Sequence, residues 1–84
     1  MPVTTFDDKT LEAVGEIIAL GEQEGFGITF APDATGWTVG YLRGMSGGEL
    51  LSGFDLEDTA RGAIRPLLDL AARYEAARRE REGQ

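Results

Sequence analysis

The groups available for acid–base or metal chemistry in this 84-residue chain are carboxylates, one lysine, two tyrosines and arginines; it has neither histidine nor cysteine. Zinc sites built on thiolate or imidazole are therefore excluded within the chain. So are Ser-His-Asp and Cys-His mechanisms, and the usual proton shuttle near neutral pH is missing. Gly44-Met45-Ser46-Gly47-Gly48 matches a G-x-S-x-G nucleophile elbow letter for letter, but no histidine is present to take the serine proton. The same stretch fits a G-x-x-G clamp for nucleic acid, with only Arg43 beside it, and no Lys-Ser/Thr follows to make a P-loop. It reads as a glycine-rich loop between strands. Asp55, Glu57 and Asp58 place three carboxylates in one helical turn. A weak magnesium site would have that pattern, and so would a capped helix with acids at the positive end of its macrodipole. No catalytic residue, metal or cofactor is assigned, and a magnesium-dependent carboxylate enzyme stands as one rival reading.

Charge is distributed unevenly. Residues 1–60 hold eleven acids against two bases, a net −9, whereas residues 61–84 hold six arginines against four acids, a net +2. A field of that sign over the body repels polyanions, so direct nucleic-acid binding is not expected. Six acids fall between Asp7 and Glu24 with Lys9 as the one counter-charge. Together, Asp7, Asp8, Glu12, Glu16, Glu22 and Glu24, joined by Asp55, Glu57 and Asp58, form the candidate partner-binding set. The alternative is that these are solvated surface charges. Arg73 through Arg81 is interleaved with Glu75 and Glu80 and reads as a helix end complemented by cations.

Several elements must position these groups. Thr5 with Asp8 has the spacing of a capping box and predicts a helix over 6–23, with Leu11, Val14, Ile17, Ile18 and Gly21 as its buried stripe and Gly25 as its left-handed stop. Phe26, Ile28 and Phe30 alternate along a strand at 26–30, and Trp37, Val39 and Tyr41 along another at 37–41; Pro32 to Gly36 supplies the turn. Trp37 and Tyr41 are expected to face the helices as core; a base-stacking platform is the other reading. A short third strand fits 50–54, interrupted by Gly53. Asp55 then caps a helix whose seam is Leu56, Ala60, Ala63, Leu67, Leu70 and Tyr74, with Pro66 expected on the solvent side as a kink. The order is α-β-β-β-α, an α+β fold with two helices packed on one face of a three-stranded antiparallel sheet. The expectation is one domain over 1–76 and a frayed Arg/Glu-rich end over 77–84. The start lacks a basic and apolar leader, and a secreted domain this small usually needs disulfides, so the cytoplasm of a bacterial or phage-infected cell is expected.

The α-β-β-β-α order resembles that of double-stranded-RNA-binding domains. That family places lysines at the start of its last helix, where this chain has Asp55-Leu56-Glu57-Asp58, so its RNA function is not carried over. Residues 26–75, with Gly36-Trp37 and Gly53-Phe54-Asp55-Leu56-Glu57-Asp58 leading an alanine-rich helix, are similar to HicB-type antitoxins. That likeness implies an acidic protein that occludes a toxin. By composition alone the chain looks like small acidic phage inhibitors of the anti-restriction and anti-CRISPR type. The leading expectation is thus a non-enzymatic protein that neutralises a basic, nucleic-acid-binding effector or toxin by mimicking nucleic acid. The other rival is an assembly module that homo-oligomerises through an apolar sheet surface, and a homodimer is compatible with either.

Overall fold

Asp7 starts the first helix. In the computed structural model, which describes residues 6–83, its Oδ1 accepts the Thr10 amide at 2.8 Å, and α1 runs over Asp8–Glu24. The expected cap at Thr5 lies outside the described residues; Asp7 takes the role because its extended backbone (φ −74°, ψ 170°) lets the carboxylate turn back onto the first turn. The other end is a Schellman motif. Gly25 is left-handed at φ 85°, its amide bonds to the Glu22 carbonyl at 3.2 Å, and the Phe26 amide reaches the Gly21 carbonyl at 2.7 Å. That reversal drops Phe26 directly into the core, where it is 2 % exposed.

Three strands follow, β1 (Gly27–Asp33), β2 (Gly36–Arg43) and β3 (Ser46–Gly53), in the order β1-β2-β3 with both pairings antiparallel. Two boundaries differ from expectation. β1 runs on through Pro32 and Asp33, which pair with Trp37 and Gly36, so the first turn shrinks to Ala34-Thr35. Pro32 is tolerated because β1 is an edge strand. The second turn is only Gly44-Met45, and Ser46, Gly47 and Gly48 pair with Arg43, Leu42 and Tyr41. β3 is therefore longer than the expected 50–54. Small residues here read as loop from sequence, yet they suit a strand that lies beside bulky neighbours. Register shifts between Val39, opposite Leu51, and Gly40, opposite Glu49, leaving Leu50 as a bulge. The extra residue lets consecutive Leu50 and Leu51 both pack toward the core.

Leu56–Glu82 forms α2, capped by Asp55, whose Oδ2 accepts the Asp58 amide at 3.0 Å. Both helices cover one face of the sheet, α1 against β1 and α2 against β2 and β3. The core consists of Ala13, Ile17, Phe26, Val39, Ala60, Ala63, Leu67 and Ala71. Approach is close where side chains are absent: a Cβ at Gly21 would lie 2.7 Å from Ile28, and one at Gly62 2.7 Å from Leu51. The seam of α2 is as expected, with Leu56, Ala60, Ala63 and Leu67 buried and Leu70 and Tyr74 packed beside them. The stripe of α1 is rotated. Thr10, Ala13, Ile17 and Gly21 are buried, whereas Leu11 and Ile18 are 55 % and 38 % exposed. Pro66 is half-buried toward Leu50 and Leu70, not solvated, and the helix runs through it. The end expected to fray is helical to Glu82, where Glu75 holds Arg78 at 2.8 Å and Arg79 at 3.4 Å. No helix among the described residues is long and apolar enough to cross a membrane.

Burial sets the cost of core truncation. Leu67 is fully buried and its neighbour Leu68 is 43 % exposed. Leu67→Ala is expected to cost about 2–5 kcal/mol, a large share of the roughly 5–15 kcal/mol typical of a domain. Leu68→Ala should cost well under half as much, and urea denaturation of the two variants checks the ratio.

Candidate functional site

Topology decides which acids meet. Chain direction reverses at each turn, so α1, β2 and α2 run one way and β1 and β3 the other. Both helix N-termini and the β1–β2 turn therefore lie at one end of the molecule. Asp7 and Asp8 arrive there on α1, Asp55 and Asp58 on α2, and Asp33 on the turn. Two helix dipoles contribute roughly +0.5 charge each at this end. Five carboxylates outweigh them, so the pole stays negative. Glu12 continues the surface one turn along α1.

Asp33 was not among the sequence candidates; its place in the β1–β2 turn brings it to the pole. Its Oδ1 accepts the Thr35 amide at 2.8 Å and the Thr35 hydroxyl at 3.0 Å, and its Oδ2 accepts the Thr38 hydroxyl at 3.1 Å. Bonding led by the Thr35 amide holds its carboxyl below the usual value of 3.8. Asp7 is likewise lowered, first by Thr10, whose amide it accepts. Both groups therefore keep their charge well into acid.

The remaining sequence candidates are placed differently. Glu16 and Glu57 both contact Arg61, at 3.7 and 3.2 Å, so one guanidinium offsets part of their charge. Glu22 and Glu24 lie in the last turn of α1, at the opposite end from Asp7, about 24 Å away at 1.5 Å per residue. There Arg43 donates to the Glu24 carbonyl at 3.1 Å, with its guanidinium 5.0 Å from the Phe26 ring and 4.8 Å from the Tyr74 ring. The nine expected residues thus divide into a pole (Asp7, Asp8, Glu12, Asp55, Asp58), a bridged pair (Glu16, Glu57) and a distant pair (Glu22, Glu24). Asp55, Glu57 and Asp58 do not converge with other acids as a metal-ligand group among the described residues.

Aromatic residues share the pole. Phe54, just before the α2 cap, is 87 % exposed, and Phe6 stacks edge-on against Trp37 with centroids 5.8 Å apart. Trp37 is on the helix-facing side with Val39 and Tyr41, since Pro32, Phe30 and Ile28 pair with those three in turn. The opposite face of the sheet carries Thr29, Ala31, Thr38, Glu49 and Ser52, with Leu42 as its one large apolar residue among those described. Thr38 lies 2.9 Å from Ser52, which in turn donates to Glu49. It is a polar surface.

A depressed carboxyl stabilises the fold above its unfolded value of 3.8 and loses that contribution as pH falls through the lower folded value. Asp7→Asn keeps the cap but removes the titration. The melting temperature of the native chain is therefore expected to fall more steeply than that of Asp7→Asn below pH 4, and melting curves followed by circular dichroism across that range check it.

No family model matches the chain, and neither a curated protein nor a solved structure proves similar to it. The likenesses to antitoxins and RNA-binding domains thus rest on the residues quoted for them, and the likeness to phage inhibitors on composition alone.

Proposed function

We propose that this domain is a non-enzymatic binding protein whose acidic pole occupies a basic, nucleic-acid-binding surface on a partner protein. The observation that carries the reading is the gathering of Asp7, Asp8, Asp33, Asp55 and Asp58 at one end, where Lys9 is close enough to lower the Asp7 carboxyl but no arginine or lysine comes within 4.0 Å of any of the five among the described residues. Clustered carboxylates compete with phosphates for the arginines and lysines of such a surface, and the long-range field speeds encounter. Neutralising a toxin or an anti-phage effector by occlusion is the role this chemistry fits, in the cytoplasm where those partners work. Phe54 supplies an apolar anchor within the charged surround, the arrangement that concentrates binding energy in interfaces.

Replacing Asp7, Asp8, Asp55 and Asp58 by Asn removes four charges while both caps are kept, since Asn caps as well as Asp. Immobilised protein is expected to retain basic nucleic-acid-binding proteins from a bacterial lysate at low salt. It should release them as salt rises from about 0.1 to about 1 M, over which the screening length falls from about 10 to about 3 Å. The four-fold Asn variant should retain far less. Retention equal on both proteins, or unchanged by salt, would contradict the mechanism.

A further inference from the structure

The pairing of β1 leaves backbone groups free. A two-residue turn at Ala34-Thr35 makes Asp33 and Gly36 a hydrogen-bonded pair, so Ala31, Thr29 and Gly27 also bond to β2. The N–H and C=O groups of Ile28 and Phe30, and the C=O of Pro32, therefore point away from β2 to the free edge of the sheet. Pro32 sits where its missing N–H costs no ladder bond. The side chains of Ile28 and Phe30 are half-buried on the helix side.

An apolar strip of α1 lies over this edge. The helix packs on β1 where a Cβ at Gly21 would meet Ile28, and beside α2 where Glu16 contacts Arg61. It turns by about 100° per residue, so the buried arc from Glu16 through Ala13, Ile17 and Thr10 reaches Gly21 after about 140°. Turning further the same way meets Val14, then Ile18 and Leu11 at about 200° and about 220° from Glu16. Ile18 and Leu11, 38 % and 55 % exposed, are thus on the flank away from α2, on the side of the free edge of β1. Acids bound the strip at both ends. Glu22 follows Ile18 by four residues and Asp8 precedes Leu11 by three, and neither has an ion pair among the described residues. Lys9, the one basic residue of α1, falls on the α2 flank within about 20° of Glu16.

We infer that this edge takes up an extended segment of a partner protein as a fourth strand, and that the segment carries two apolar side chains at alternate positions with an arginine or lysine two residues beyond each. The spacing follows from Gly21 beside Ile28. At about 1.5 Å per helical and about 3.3 Å per strand residue, Phe30 comes level with Ile18, Pro32 with Leu11 and Ala34 with Asp8, while Ile28 is level with Glu22. Alternation puts all four side chains of the added strand on the helix side, the apolar pair under Ile18 and Leu11 and the cations beside Glu22 and Asp8. Backbone bonds to Ile28 and Phe30 supply affinity for any extended chain, and the strip with its two acids supplies the choice. Charge selects this occupant over a second copy. Two copies joined β1 to β1 would set two acidic α1 helices side by side, with like charges along both strips. The strip shares Asp8 with the acidic pole; the β1 edge, Ile18 and Glu22 lie outside it.

An end-blocked synthetic peptide, Arg-Thr-Val-Thr-Val-Thr-Arg, added to the full chain tests this through amide hydrogen exchange and fluorescence anisotropy. It is expected to slow exchange at Ile28 and Phe30 about tenfold or more, while Thr29 and Ala31, already bonded to β2, change little. Leu11→Lys, at an exposed position, should weaken binding about tenfold or more with the melting curve unchanged. Glu22→Lys should weaken it too, and one of the two peptides with glutamate at a single end should restore it. Serine in place of both valines should abolish binding, and Asp55→Asn with Asp58→Asn should change it far less than Glu22→Lys does. Unchanged exchange at Ile28 and Phe30, indifference to Leu11→Lys, or equal binding of the serine peptide overturns the proposal. Equal losses from the Asp55 and Asp58 changes and from Glu22→Lys would place the peptide at the pole and overturn it, whereas the pole reading stands or falls on lysate retention by its own variant. Protection of Ile28 and Phe30 that rises with the concentration of the chain alone would assign the edge to a second copy and overturn it as well.

Discussion

Three strands between two helices is the constraint on which the rest depends. With tight turns between the strands, an odd number sends α2 in the same direction as α1, so both helices begin at one end. Each of those helices is capped by an aspartate and followed by further acid, as helix starts favour. Local requirements of two separate helices thus become a single charged surface through topology alone. An even number of strands would have placed the two caps at opposite ends and divided the charge.

The opposite end depends on Phe26. It leaves α1 through the Schellman turn and meets Tyr41 edge-on at 5.7 Å and Tyr74 at 5.5 Å, with Arg43 over both its ring and that of Tyr74. The α1–β1 junction, β2 and α2 meet at this one aromatic cluster. Arg43 also serves the exposed carbonyl of Glu24, so the one arginine in the first 60 residues works on structure. The poles therefore divide the labour. One is closed by rings and a guanidinium, and the other is left open and negative.

Much of this was legible in the sequence, and the failures share a physical cause. The α2 seam and the order of elements follow from periodicity, which depends only on neighbours along the chain. Gly25 follows from the cost of a left-handed backbone. The Asp7 cap is not legible in the sequence, because spacing alone does not reveal which side chain turns back onto the helix. β3 was cut short because Gly47 and Gly48 carry no strand signal of their own, and their pairing with Leu42 and Tyr41 is a tertiary fact. The same applies to the charged residues. Arg61 lies far from Glu16 in sequence, so that contact is a tertiary fact, whereas its i,i+4 pairing with Glu57 follows from helical spacing. Asp33, read as a turn residue, reaches the pole only because the turn folds to meet two helix starts. Asp7, Asp8, Asp55 and Asp58 were recoverable from residue type and position.

Recognition of cationic surfaces at one pole is the proposal that ties these features together. Amide chemical shifts followed during titration with an arginine-rich peptide test it most directly. The largest shifts are expected at Asp7 to Glu12, at Asp33 to Gly36 and at Phe54 to Asp58, with all of them collapsing at high salt. Shifts centred instead on Glu22 and Glu24, or spread evenly over every acid in the chain, would contradict it.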